Sequence, residues 1–178
     1  MKRIILLSIF SLVLFSCGKE KKQVDENEVS KSDFVVNLDA IYEKNDSTYL
    51  NIYDKNGVDL LQSRVYVNVK GSPLVQQVSY KIKKGLEFSN ICFSLSTSKE
   101  QKTIQIKGIS ILNNGKILIG GPGEKTDRFF ANGDQLVMDL KTGIHQLLHE
   151  KPYAPGLAGN DILKSIIEKS QEVEQEKE

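Results

Sequence analysis

Few residues in this chain are placed to do chemistry. Ile119-Gly120-Gly121-Pro122-Gly123-Glu124-Lys125-Thr126-Asp127-Arg128 gathers three glycines, a proline and four charges in ten residues. A loop of that kind on a rigid scaffold offers Glu124, Lys125, Asp127 and Arg128 as ligand contacts; a long solvated strand connection has the same composition. It lacks phosphate-loop spacing, because Gly-Lys-Ser/Thr does not follow four residues after its first glycine. His145 and His149 stand four apart, which brings imidazoles together on a helix and separates them by roughly 13 Å along a strand. A strand makes them two solvent-side histidines, and no acidic or cysteine partner completes a zinc set. Cys92, between Ile91 and Phe93, points away from that pair, with no local base to activate it. It reads as a small residue packed against the other sheet or a helix. There is no Gly-x-Ser-x-Gly and no paired-carboxylate spacing, so no catalytic, metal or cofactor site is assigned. The chain has no tryptophan, leaving Tyr42, Tyr49, Tyr53, Tyr66, Tyr80 and Tyr153 as the possible flat platforms for a sugar, or as strand packing.

The elements that carry these residues alternate with period two. Phe34, Val36, Leu38 and Ala40 point one way; Tyr49 to Tyr53, then Val65, Val67 and Val69, follow across the turn Asp54-Lys55-Asn56-Gly57. In the next strand Gln76, Val78, Tyr80 and Ile82 form the inner set. Ile91, Phe93 and Leu95 make another strand, and Ile104 and Ile106 another, which Ile109 and Ile111 continue or replace across Gly108. Asn113-Asn114-Gly115 predicts a hairpin to Ile117 and Ile119; Leu136 to Leu140 and Ile144 to Leu148 pair across Lys141-Thr142-Gly143. Eight to ten short strands with no helical pattern between them predict a mainly β protein: an antiparallel two-sheet β-sandwich, jelly-roll-like. One helix is expected at the end, capped by Asn160 after the breakers Pro152, Pro155, Gly156 and Gly159. Its stripe is Ile162, Leu163, Ile166, Ile167 and Val173, it packs on the sandwich or covers an edge strand, and it frays beyond Ser170.

The N-terminus specifies an address. Lys2 and Arg3 precede twelve almost wholly apolar residues, Ile4 to Phe15, too few for the roughly 20 that span a bilayer, which is the order of a secretory signal. Leu14, Ser16 and Cys17 resemble the lipobox of bacterial lipoproteins at three of its four places, with Phe15 the departure. The resemblance implies that Cys17 becomes the mature N-terminus and carries a diacylglycerol and an N-acyl chain, more than the single chain that binds a membrane only reversibly. The alternative is an ordinary signal cut near Ser16. Residues 18–33 hold nine charges and two apolar side chains, a flexible tether reaching roughly 20 to 25 Å. The expected organisation is a signal at 1–16, lipidated cysteine and tether at 17–33, sandwich at 34–153, and C-terminal helix with acidic tail at 154–178.

Overall charge is balanced, with 24 Lys and Arg against 23 Asp and Glu, and no basic stripe points to a nucleic-acid partner. With Cys17 lipidated, Cys92 has no disulfide partner, so the domain relies on its core. The segments Lys70-Gly-Ser-Pro-Leu-Val-Gln76 and Ile91 to Ile106, with the ending Gly159-Asn-Asp-Ile-Leu163, resemble a group of lipoproteins from Bacteroidetes-type bacteria and jelly-roll domains similar to carbohydrate-binding modules. That resemblance implies a fold and a compartment, the cell membrane or outer membrane with the domain facing periplasm or cell surface, and no reaction. The functional expectation is a non-catalytic binding domain for a glycan, a peptidoglycan fragment or another envelope protein. The rivals are a structural or assembly subunit, and an enzyme with a dispersed site. Cys17→Ala should abolish acyl labelling and membrane association; unchanged labelling with a fatty-acid probe would end the lipoprotein reading.

Overall fold

The computed structural model describes residues 34–121, 124–150, 152 and 154–175, with side chains to residue 172. The leader, Cys17, the tether and Tyr153 lie outside the described residues. The strands are β1 (Phe34–Tyr42), β2 (Asp46–Tyr53), β3 (Val65–Val69), β4 (Gln76–Ile82), β5 (Asn90–Ser94), β6 (Thr103–Asn113), β7 (Lys116–Ile119), β8 (Phe130–Asn132), β9 (Leu136–Asp139), β10 (Ile144–Leu147) and β11 (Gly156–Gly159), followed by the helix α1 (Asp161–Gln175). They form two antiparallel sheets packed as a β-sandwich. One runs β4-β1-β6-β10-β9, with β7 also paired to β6, and the other runs β3-β2-β5-β11-β8.

Period-two patterning decides which faces meet. Phe34, Val36, Leu38, Ala40 and Tyr42 are all buried and share one core with Leu50, Ile52, Val78, Tyr80, Ile82, Ile91, Phe93, Ile104 and Ile111. Two polar links cross this core. The Thr48 hydroxyl donates to the Ser94 carbonyl at 2.6 Å and accepts from the Tyr80 hydroxyl at 2.8 Å, joining β2 to β4 of the opposite sheet. The Tyr42 hydroxyl donates to the Leu95 carbonyl at 3.1 Å. Burial raises both tyrosines far above the ordinary phenol value, so they act as neutral donors. At the turn entering β2, the buried Asp46 carboxylate accepts from the Thr97 and Ser98 amides at 3.1 and 3.0 Å and from the Ser96 hydroxyl, fastening that turn to the loop after β5.

Asn160 caps α1, its Oδ1 accepting from the amides of Ile162 at 3.0 Å and Leu163 at 3.2 Å. Leu163 and Ile167 are fully buried and belong to the main core, where α1 meets β5 and β11. Asn113, at the end of β6, and Lys55, after β2, reach the helix with hydrogen bonds to and from it, so α1 closes one end of the sandwich and does not lie along an edge strand. Two features differ from expectation. The helix continues past Ser170 to Gln175, since Gln and Glu are good helix formers. Gly156–Gly159, read as breakers, is a strand in the interior of a sheet: Gly159 has no room for a side chain, its Cβ falling 2.2 Å from Asn90 Oδ1. The sandwich therefore extends past residue 153. Leu163→Ala should cost about 2 to 5 kcal/mol by leaving a cavity at this closed end, measured as a lower urea midpoint with unchanged slope.

Candidate functional site

β6 creates a concavity between the sheets; a larger, more polar one of about 630 Å³ lies between the turn after β2 and α1. The pairing of β6 with β1 matches Asp39 to Gly108 and then Ala40 to Ile106, so Lys107 is the extra residue of a β-bulge. On its other side β6 is shared end to end: β10 pairs with residues 103–105 and β7 with residues 111–113. Gly120 continues the β7 side so closely that a Cβ there would sit 2.6 Å from the Ile109 carbonyl oxygen, at a φ of 88° that also favours glycine. Between the two partners the edge parts, and a cleft of about 520 Å³ enters between the sheets. Phe130, Asn132 and Leu157 line it from one sheet; Ile106, Lys107, Met138 and His145 line it from the other. At the opposite edge β3 and β4 lie against each other.

Residues 124–127 of the glycine-rich loop border this cleft. Glu124, Lys125 and Asp127 line it, whereas Arg128 instead pairs with Glu124 at 3.6 Å and lies over the Phe129 ring. Glu124 also accepts from the Gly120 amide at 2.8 Å, so its carboxylate is committed to holding the loop closed. The sequence thus names three of the lining residues and misses the rest. His145 is the main correction: it is an inward residue, 7% exposed, and not a solvent-side one. Its register opposite Ile104 and its phase with buried Leu147 place it there, and that phase was the available signal. Its Nδ1 is buried and has no hydrogen-bond partner among the described residues. His149 follows the strand and does not share the cleft.

A second surface lies on the outer face of the β3-β2-β5 sheet. Tyr49 and Tyr66 are directly opposed across β2 and β3, with ring centroids 5.0 Å apart. The Arg64 guanidinium sits 5.4 Å from the Tyr49 centroid and pairs with Asp59 at 2.6 Å. Tyr66 is 63% exposed, and Tyr53 continues the row along β2 beside Asn51 and Cys92. Of the other tyrosines, Tyr42 and Tyr80 are core. Cys92 is half-buried on this outer face, so it faces neither the other sheet nor α1 as expected; burial pushes its thiol up to about 11, which keeps it protonated and a poor nucleophile. The outer face of the other sheet carries hydrogen-bonded polar rows such as Ser79-Asn37-Ser110 and no tyrosine pair.

Among the described residues, no three His, Cys, Asp or Glu side chains gather as a metal set, and no helix is long and apolar enough to cross a membrane. No family model matches the chain, and no curated protein or solved structure is significantly similar to it.

Burial holds His145 below the ordinary imidazole value; His149 is lowered by burial and by Lys102 and Lys99. Below about pH 6.5 the unfolded chain therefore binds more protons than the folded one, so these groups favour folding at neutral pH and that contribution falls as the solution is acidified. The melting temperature should drop between about pH 7 and pH 5, and His145→Leu should shrink the drop. An equal drop in the variant would assign the effect to other groups.

Proposed function

We propose that this is a lipid-anchored protein of the cell envelope, held by acyl chains on Cys17, whose sandwich is a non-catalytic glycan-binding module. The paired Tyr49 and Tyr66 carry the reading. Two aromatic rings side by side on one sheet face, tilted 34° to each other and one of them largely exposed, give an apolar platform for the carbon faces of a sugar ring. Arg64, Asp59 and Asn68 stand on neighbouring positions with charged and amide groups for hydroxyls, and Arg64 and Asp59 remain about a quarter exposed. The opposite sheet's outer face has polar rows instead, which supports assigning the ligand to this face. The tether would let the platform stand clear of lipid headgroups. No reaction is assigned: burial raises the Cys92 thiol, and nothing else among the described residues points to one.

A second reading, an assembly subunit, is favoured by the edge strand β9, whose free side a partner strand could pair and beside which Val137 and the turn residue Leu140 are exposed. The full chain in detergent, presented to a glycan array and to solubilised envelope proteins, separates the two. Reproducible glycan retention that falls roughly tenfold in Tyr66→Ala supports the module; retention of an envelope protein with no glycan replaces it with the assembly role.

A further inference from the structure

We propose that the cleft beside the glycine-rich loop is a second binding site, separate from the tyrosine platform, for a small organic acid with an apolar body, a carboxylate at one end and a hydrogen-bonding group at the other. The ordering of side chains by depth supplies this chemistry. Buried Phe130 and Leu157 from one sheet face Ile106 and Met138 from the other, and together form walls for an apolar body. The cleft holds about 520 Å³, within the range of small-molecule pockets. The imidazole of His145 belongs to the same wall. It is nine-tenths buried with Nδ1 closed off within the protein, so a ligand meets only the edge of the ring that lines the cleft. Neutral imidazole can act as donor or acceptor according to tautomer, so it suits a hydroxyl.

The mouth is different. Lys107, put there by the bulge, and Lys125, from the loop, are exposed and have no ion-pair partner among the described residues. Glu124 is occupied by the Gly120 amide and Arg128, so it does not neutralise them. Asp127 is the remaining charge on the rim. Two cations against one uncommitted carboxylate favour an anionic end group at the mouth.

The chain has two histidines, so ¹⁵N-histidine labelling of the full chain gives a spectrum in which His145 is read directly. The probes are 3-(4-hydroxyphenyl)propanoate, its alcohol analogue 3-(4-hydroxyphenyl)propanol, and 3-phenylpropanoate. The expected result is a saturable shift of the His145 ring nitrogens with the hydroxy acid below about 1 mM, weaker by roughly five- to tenfold for the alcohol and for the acid lacking the hydroxyl. Lys107→Gln with Lys125→Gln should weaken the acid by a similar factor and leave the alcohol unchanged, while Tyr66→Ala should alter neither. No His145 shift up to roughly 10 mM, or equal binding of acid and alcohol, overturns the proposal. Both readings use the unaltered protein, so a variant that fails to fold does not rescue it.

Discussion

One strand has more edge than any single neighbour covers, and the rest of the structure accommodates it. β6 is eleven residues long, and β1 pairs with it along its length, which fixes the middle of the sheet. The other side must be satisfied by two short strands, β10 and β7, placed end to end. Unpaired backbone groups inside a sheet are costly, so the chain covers as much of that edge as it can. Gly120 is pressed against Ile109 and Ser110 for this reason, in a conformation and at a distance that a side chain would forbid. What remains is the short gap beside the bulge at Lys107. The cleft is the consequence of that gap.

The same constraint explains why one edge of the sandwich is shut and the other is open. β3 and β4 close together at the first edge, and the Thr48 hydroxyl bridging to Tyr80 pins the sheets near it. Each such hydrogen bond is worth only about 1 kcal/mol net, yet leaving either hydroxyl unpaired in the core would cost more, so the pair specifies alignment as much as it stabilises. At one end, α1 inserts Leu163 and Ile167 between the sheets; on the loop side, Asp46 gathers the amides of Thr97 and Ser98. With these boundaries covered, the sheets part at the β8/β9 edge, where the cleft opens. The outer tyrosine face makes no such demand on the core, because Tyr66 and Arg64 are held by each other's neighbours on the surface of a sheet whose inner face is already buried.

Much of this was legible, and the exceptions have physical causes. Alternation along 34–40, 76–82 and 91–95 gave the inner faces correctly, because each run has one apolar and one polar set. The break in phase between Ile106 and Ile109 was visible and marks the bulge, though sequence alone left open whether one strand or two crossed Gly108. His145 was misplaced because its strand is balanced: Ile144 and Leu148 compete with Leu147 for the inner side, and a slip of one residue reverses every side chain. β11 was missed because glycines that end strands elsewhere are here demanded by close neighbours, Asn90 and Leu163, far away in sequence.

By itself the sequence determined the strand periodicity, the antiparallel two-sheet class, the hairpin at Asn114 and Gly115, and the cap at Asn160, since each depends on residues within a few positions of one another. It also identified the loop charges Glu124, Lys125 and Asp127. Only the tertiary structure decided that these border a cleft with His145, that Arg128 turns back to Glu124, and that Tyr49 and Tyr66 form one platform while Tyr42 and Tyr80 are core. Those outcomes depend on which strands become neighbours and in what register, and pairing between segments many residues apart is set by how the whole core packs, not by any local pattern.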